Sequence, residues 1–99
     1  MRIITKKRLE AYAKQYPDAK GALQVWMIGL TTITPRDLAE LRRRFPSADL
    51  VGRLTVFNIG GNKYRLIVRI EYQRQEVYLR HFLTHAEYDK ESWKDDEWF

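Results

Sequence analysis

Apolar positions change their spacing once along this chain. Up to about residue 46 they recur three and four apart, the period of an amphipathic helix; from about Arg53 they alternate, the period of a strand. Arg2, Ile3 and Ile4 form a short first strand, and Thr5 offers an N-cap to a helix whose Leu9, Tyr12, Ala13 and Tyr16 share one face. Pro17 closes that helix. Asp18 caps a second helix, with Ala22, Val25, Trp26, Gly29 and Leu30 as its buried stripe. Thr34 followed by Pro35 predicts the start of a third, buried through Leu38, Leu41 and Phe45 and ended by Pro46. Three strand-like runs follow, Arg53 to Asn58, Lys63 to Tyr72 and Glu76 to Leu83, joined by Ile59-Gly60-Gly61-Asn62 and Gln73-Arg74-Gln75. The expected fold is α+β: a short first strand, three helices, then a three-stranded antiparallel meander with the helices on one sheet face.

Period two divides the middle strand into an apolar face of Tyr64, Leu66, Val68 and Ile70 and an opposite face of Lys63, Arg65, Ile67 and Arg69. In the last strand it puts Val77, Leu79 and His81 toward the core and leaves Tyr78, Arg80 and Phe82 opposite. Arg65, Arg69 and Arg80 then meet on an uncovered face interleaved with Tyr78 and Phe82. Guanidinium forks grip phosphates and rings stack on unpaired bases, so this face suits RNA. A plainer reading pairs Arg65 and Arg69 with Glu71 and Glu76 on a solvated sheet.

Composition narrows the classes. A chain of 99 residues supports one core, read as a domain over residues 1–90 with an acidic, aromatic tail at 91–99. The absence of cysteine removes disulfides, thiolate nucleophiles and sulfur-ligated zinc, and His81 and His85 alone build no metal site, so neither metal nor cofactor is expected. The apolar run near Leu23 to Leu30 is far shorter than the roughly 20 residues of a membrane span. The opening MRIITKKRLE lacks the apolar centre of a signal peptide, and a cytoplasmic protein is expected. The net charge is +5, but residues 90–99 hold two basic and four acidic groups, leaving 16 basic against 9 acidic residues, or +7, over residues 1–89. A basic body favours polyanions or acidic protein surfaces.

Thr84 and Glu87 have capping-box spacing, so the last strand turns directly into a short helix with His85 and Tyr88 three apart. Such a pair suits general acid-base cleavage of RNA, with a ribose 2′-hydroxyl attacking its own phosphate and the cationic face stabilising the added charge. Several other features have structural readings. His81 is a hydrogen-bonded core residue, Trp26 belongs to the core stripe, Gly60-Gly61-Asn62 is a hairpin, and Arg42-Arg43-Arg44 is a solvated helix end before it is a contact for ribosomal RNA; for Trp93, Trp98 and Phe99 a frayed tail ranks ahead of docking on the body or a partner.

VFNIGGNKYRLIVRI and LRHFLTHAEYDK, with the opening RIITKKRLEAYAKQYPDA, resemble the HigB branch of the RelE-like toxins over nearly the whole chain to about Lys90. The resemblance implies a RelE-like fold and an endoribonuclease that cuts mRNA on the ribosome, the toxin of a type II toxin-antitoxin pair neutralised by a helix-turn-helix antitoxin of the HigA type. It places Arg65 on the scissile phosphate, Arg80 as a second phosphate ligand, and His85 and Tyr88 in the acid-base segment. Asn62 and Lys63 stand where the strand enters the site, and Arg69, Asn58 and Arg53 join Asn62 as RNA contacts. The paired lysines that some relatives carry on the preceding strand are missing, with Arg53 and Thr55 nearby instead, which leaves the general base open between His85, ranked first, and Lys63. Two other functions fit this chain: a toxin of the same fold that binds DNA gyrase, and a non-catalytic RNA-binding module.

Overall fold

A computed structural model describes residues 1–99. In chain order the elements are β1 (Arg2–Ile4), α1 (Lys7–Gln15), a 3-10 turn (Pro17–Ala19), α2 (Lys20–Thr31), α3 (Leu38–Arg44), β2 (Asp49–Val51), β3 (Leu54–Ile59), β4 (Tyr64–Glu71), β5 (Glu76–Thr84), α4 (His85–Asp89) and a second 3-10 turn (Ser92–Asp95). The expected α+β class and the β3-β4-β5 antiparallel meander are present, but the sheet has five strands, in the order β1-β5-β4-β3-β2. β1 pairs with β5 in parallel, and the unpredicted β2 adds to β3 as an antiparallel edge. Residues 49–51 are mostly exposed and only three long, too short for alternation to register as a strand.

Helices α1, α2 and α3 pack on one face. Leu9, Leu23, Trp26, Leu30 and Leu41 meet Phe57, Leu66, Val68, Val77 and Leu79 in a single cluster. Three helix starts differ from expectation, two because the proposed cap is used elsewhere and one because a nearer residue takes the position. Thr5 adopts φ 62°, so it makes the turn out of β1 and Lys6 takes the N-cap position. Asp18 accepts from the Tyr64 hydroxyl at 2.7 Å and from Lys63, tying the α1-α2 connection to β4, and Ala19 precedes α2. Asp37, not Thr34, caps α3, accepting from the Glu40 N–H at 2.9 Å. On α2 the buried stripe contains Leu23 and not Val25, which is 63% exposed.

The last strand carries the largest correction. Ile67 pairs with His81 but Val68 pairs with Leu79, so Arg80 is an extra residue in β5, a β-bulge. The Leu79 carbonyl beside the bulge accepts from Arg8 Nη1 at 2.7 Å. One inserted residue reverses every later position. Phe82, expected on the open face, belongs to the helix-side core, and His81, expected in that core, turns to the other side.

Nor is that other side open. Leu54, Val56, Ile67 and Trp93 form a second buried cluster, flanked by Val51, Leu83, Tyr88, Trp98 and Phe99. The residues after α4, expected to fray, fold back over the sheet. Glu91 makes the reversal at φ 62°, and Phe99 lies against Gly52, whose φ of +61° and missing Cβ let the ring approach.

Candidate functional site: a buried arginine beside α4

β4 delivers Arg65 to the second face, where it is buried, at 8% exposure. Its guanidinium donates to the backbone carbonyls of Asn62 and Tyr64, each at 3.2 Å, and lies 5.6 Å from the centre of the Tyr88 ring. Asn62 Oδ1 lies 3.5 Å from its Nη2, at the limit of a hydrogen bond. No carboxylate pairs with it. Arg69 does pair with Glu71, at 3.5 Å, whereas Glu76 pairs with Arg2, so the solvated-pair reading holds for Arg69 alone. A buried cation without a counter-charge is costly, and a bound phosphate relieves that cost.

The capping box positions α4 beside this arginine. Glu87 N–H donates to Thr84 Oγ1 at 3.2 Å, while Glu87 Oε1 accepts from the Thr84 N–H at 2.9 Å. The His85 N–H donates to the Lys63 carbonyl at 3.1 Å, so the first residue of α4 is bonded to the entrance of β4. Tyr88 stacks on Trp93 with ring centres 5.2 Å apart and an interplanar angle of 15°. Burial, aided by the charge of Asp49 and opposed by that of Arg65, raises the Tyr88 phenol above its ordinary range, so it stays protonated. His85 is half exposed, with Nδ1 3.0 Å from Asp89 Oδ2, which occupies that nitrogen and orients the ring.

The remaining predicted residues lie in different places. Lys63 reaches to Asp18, whose hydrogen bond and charge raise the ammonium above its ordinary range and hold it protonated. Asn58 is exposed opposite Arg65 across the β3-β4 pair. Arg53 donates from Nε to the Phe99 carbonyl at 3.1 Å and from Nη2 to that of Glu97 at 2.9 Å. Arg69 and Arg80 flank Trp98, at 5.5 and 4.0 Å from the centre of its ring. The structure thus groups Arg65, Asn62 and Tyr88, with His85 on the adjoining helix, and gathers Arg69 and Arg80 into a second cluster.

Sequence reading missed the centre of that second cluster, Asp96. Arg80 donates to its Oδ2 from Nε at 2.9 Å and to its Oδ1 from Nη2 at 2.8 Å, and His81 Nε2 lies 2.8 Å from Oδ2. The bulge is what turns two successive side chains, Arg80 and His81, toward one carboxylate. The Asp96 side chain is 3% exposed, and the Arg80 hydrogen bond first, with the Trp98 N–H and His81 adding to it against burial, holds it well below the usual carboxylate range. A depressed folded-state pKa contributes stability above the unfolded value, about 3.9, and loses it as pH falls further. Asp96→Asn is expected to cost about 2 kcal/mol at pH 7. Urea titrations at pH 7 and pH 3 should show the gap from the parent narrowing in acid, and an unchanged gap would mean that the charge contributes nothing.

Fold and site together define a one-domain α+β protein that holds a buried, unpaired arginine beside a tyrosine of α4, the helix that His85 begins, on the face of a mixed sheet. The chain belongs to the HigB toxin family, described as the RelE-like toxic component of a toxin-antitoxin system, which residues 19–91 match. It is 33% identical over 92 residues to the mRNA interferase toxin HigB of Escherichia coli K12, covering 90% of this chain and 88% of that protein. The mRNA interferase HigB of Shigella flexneri matches to the same extent. That of Escherichia coli O6:H1 is 31% identical over 93 residues, 91% of this chain and 90% of the relative.

Proposed function

We propose that this protein is the toxin of a type II toxin-antitoxin pair and an endoribonuclease that cleaves mRNA on the ribosome in the cytoplasm, with a helix-turn-helix antitoxin of the HigA type as its partner. The observation that carries the chemistry is Arg65, buried, charged and without a carboxylate. A scissile phosphate supplies the missing counter-charge, and the guanidinium fork stabilises the additional charge of the pentacoordinate transition state. His85 Nε2 removes the proton from the ribose 2′-hydroxyl, whose oxygen bonds to phosphorus as the bond to the 5′-oxygen breaks. Tyr88, kept as a phenol, donates a proton to that leaving oxygen, and the products are a 2′,3′-cyclic phosphate and a 5′-hydroxyl. Lys63, protonated by its contact with Asp18, is unsuited to be the base, which favours His85 between the two.

The test is to map mRNA 5′ ends by primer extension after brief induction in growing cells, with Arg65→Ala alongside. New ends within translated regions, absent from the variant, are expected. Growth arrest without new ends would discard the nuclease and bring forward a toxin that acts by binding.

A further inference from the structure

Asp96 sits against Arg80 and His81, the Glu97 carbonyl accepts from Arg53, and the contacts copy those of a nucleotide. The Asp96 carboxylate receives the two-pronged grip of the Arg80 guanidinium, with His81 on the same oxygen, which is how a phosphate is held. The Trp98 indole, a fused bicyclic ring, lies 4.0 Å from the Arg80 guanidinium and 5.5 Å from that of Arg69, and the Tyr78 ring meets it edge-on at 5.6 Å and 87°. A stacked purine would have the same neighbours. Trp93, at 4% exposure, roots the segment in the second core, and Asp96 to Phe99 add ion pairs, stacking, the two Arg53 hydrogen bonds and the packing of Trp98 and Phe99 at the edge of that core.

We propose that Arg69, Tyr78, Arg80 and His81 form a purine-nucleotide subsite of the RNA surface, and that Asp96 and Trp98 occupy it as an internal mimic which an RNA strand must displace. This rests on the reading of the sheet face as the RNA surface, and it adds a regulated subsite beside Arg65. A site closed about nine-tenths of the time binds about tenfold more weakly than the same site open, so the mimic sets the threshold for RNA engagement. The strand that enters exchanges its phosphate for the carboxylate and its base for the indole, with no change in the β4-β5 frame.

The test uses the full chain and a fluorescent 2′-O-methyl oligoadenylate, which lacks the attacking hydroxyl and is not cut. Asp96→Asn and Trp98→Ala, each checked for folding by circular dichroism, are expected to raise its affinity about tenfold by anisotropy. Asp96→Asn should also steepen the logarithmic salt dependence by about 0.7, one phosphate contact on a single strand. Adding Arg80→Ala should cancel the gain. In the parent protein, saturation with the oligomer is expected to abolish hydrogen-exchange protection of the Trp98 and Phe99 amides, which bond to Asp96. That measurement decides the matter even if a variant fails to fold. Unchanged affinity in both folded variants, weaker binding by Trp98→Ala, retained amide protection, or no binding by any form would each overturn the mimic. Tighter binding by variants that make no cuts in cells would leave the mimic standing and remove the nuclease. Cuts in cells without that gain would do the reverse.

Discussion

Arg65→Lys is expected to slow single-turnover cleavage by about a hundredfold to a thousandfold while the protein stays folded. Lysine keeps the positive charge, but an ammonium has no planar fork and cannot bond the Asn62 and Tyr64 carbonyls while facing a phosphate. The loss corresponds to about 3–4 kcal/mol of transition-state stabilisation, the scale of removing one well-placed donor from a developing oxyanion. Thermal unfolding separates this from a structural effect, since the variant should melt near the parent temperature. A lysine enzyme within threefold of the parent would show that only charge is needed at this position and that the fork does no chemical work.

The second large effect concerns the face that carries the site. Trp93→Ala is expected to destabilise the protein by about 3–5 kcal/mol, the cost of removing a buried aromatic from a packed cluster. Trp93 covers Leu54, Val56 and Ile67, its indole N–H donates to the Tyr88 carbonyl at 3.1 Å, and its ring supports both Tyr88 and Phe99. The variant should therefore also loosen Tyr88 against Arg65, visible as lower cleavage at temperatures where the fold persists. Denaturant unfolding checks the stability, and a loss below about 1 kcal/mol would mean that the segment after α4 contributes little to the core.

These two positions differ in how legible they were. Arg65 stood out because strict alternation in β4 put arginines opposite Leu66 and Val68, and a central strand obeys its period when one face is packed by helices. The Thr84-Glu87 capping box was equally legible, since its hydrogen bonds are local to four residues. Trp93 was not. The apolar residues Leu54, Val56, Ile67 and Leu83 on the supposedly open face were the available signal: a solvated face has no need of four large apolar side chains, and Trp93, Trp98 and Phe99 were the unassigned groups able to cover them.

The caps failed for a related reason. Thr5, Asp18 and Thr34 each had the chemistry to begin a helix, but Thr5 was taken by a left-handed turn, Asp18 by Tyr64 and Lys63, and Asp37 lay three residues closer to α3. A polar side chain takes the partner that the fold brings nearest, and capping energies of about 1 kcal/mol do not outweigh it.

The sequence by itself determined the change from helical to strand period, the β3-β4-β5 meander, the turn of β5 into α4 and the arginine-bearing face of β4, because each follows from side chains within a few residues of one another. Only the tertiary structure decided which way His81 and Phe82 point, whether Lys63 is free, and what lies over Arg69 and Arg80. A single bulge reverses the register after Leu79 without a mark in the alternation, and the partners Asp18 and Asp96 arrive from 45 and 16 residues away along the chain. Interactions at such separations exist only once the backbone has been closed on itself, and so they have no periodicity to betray them.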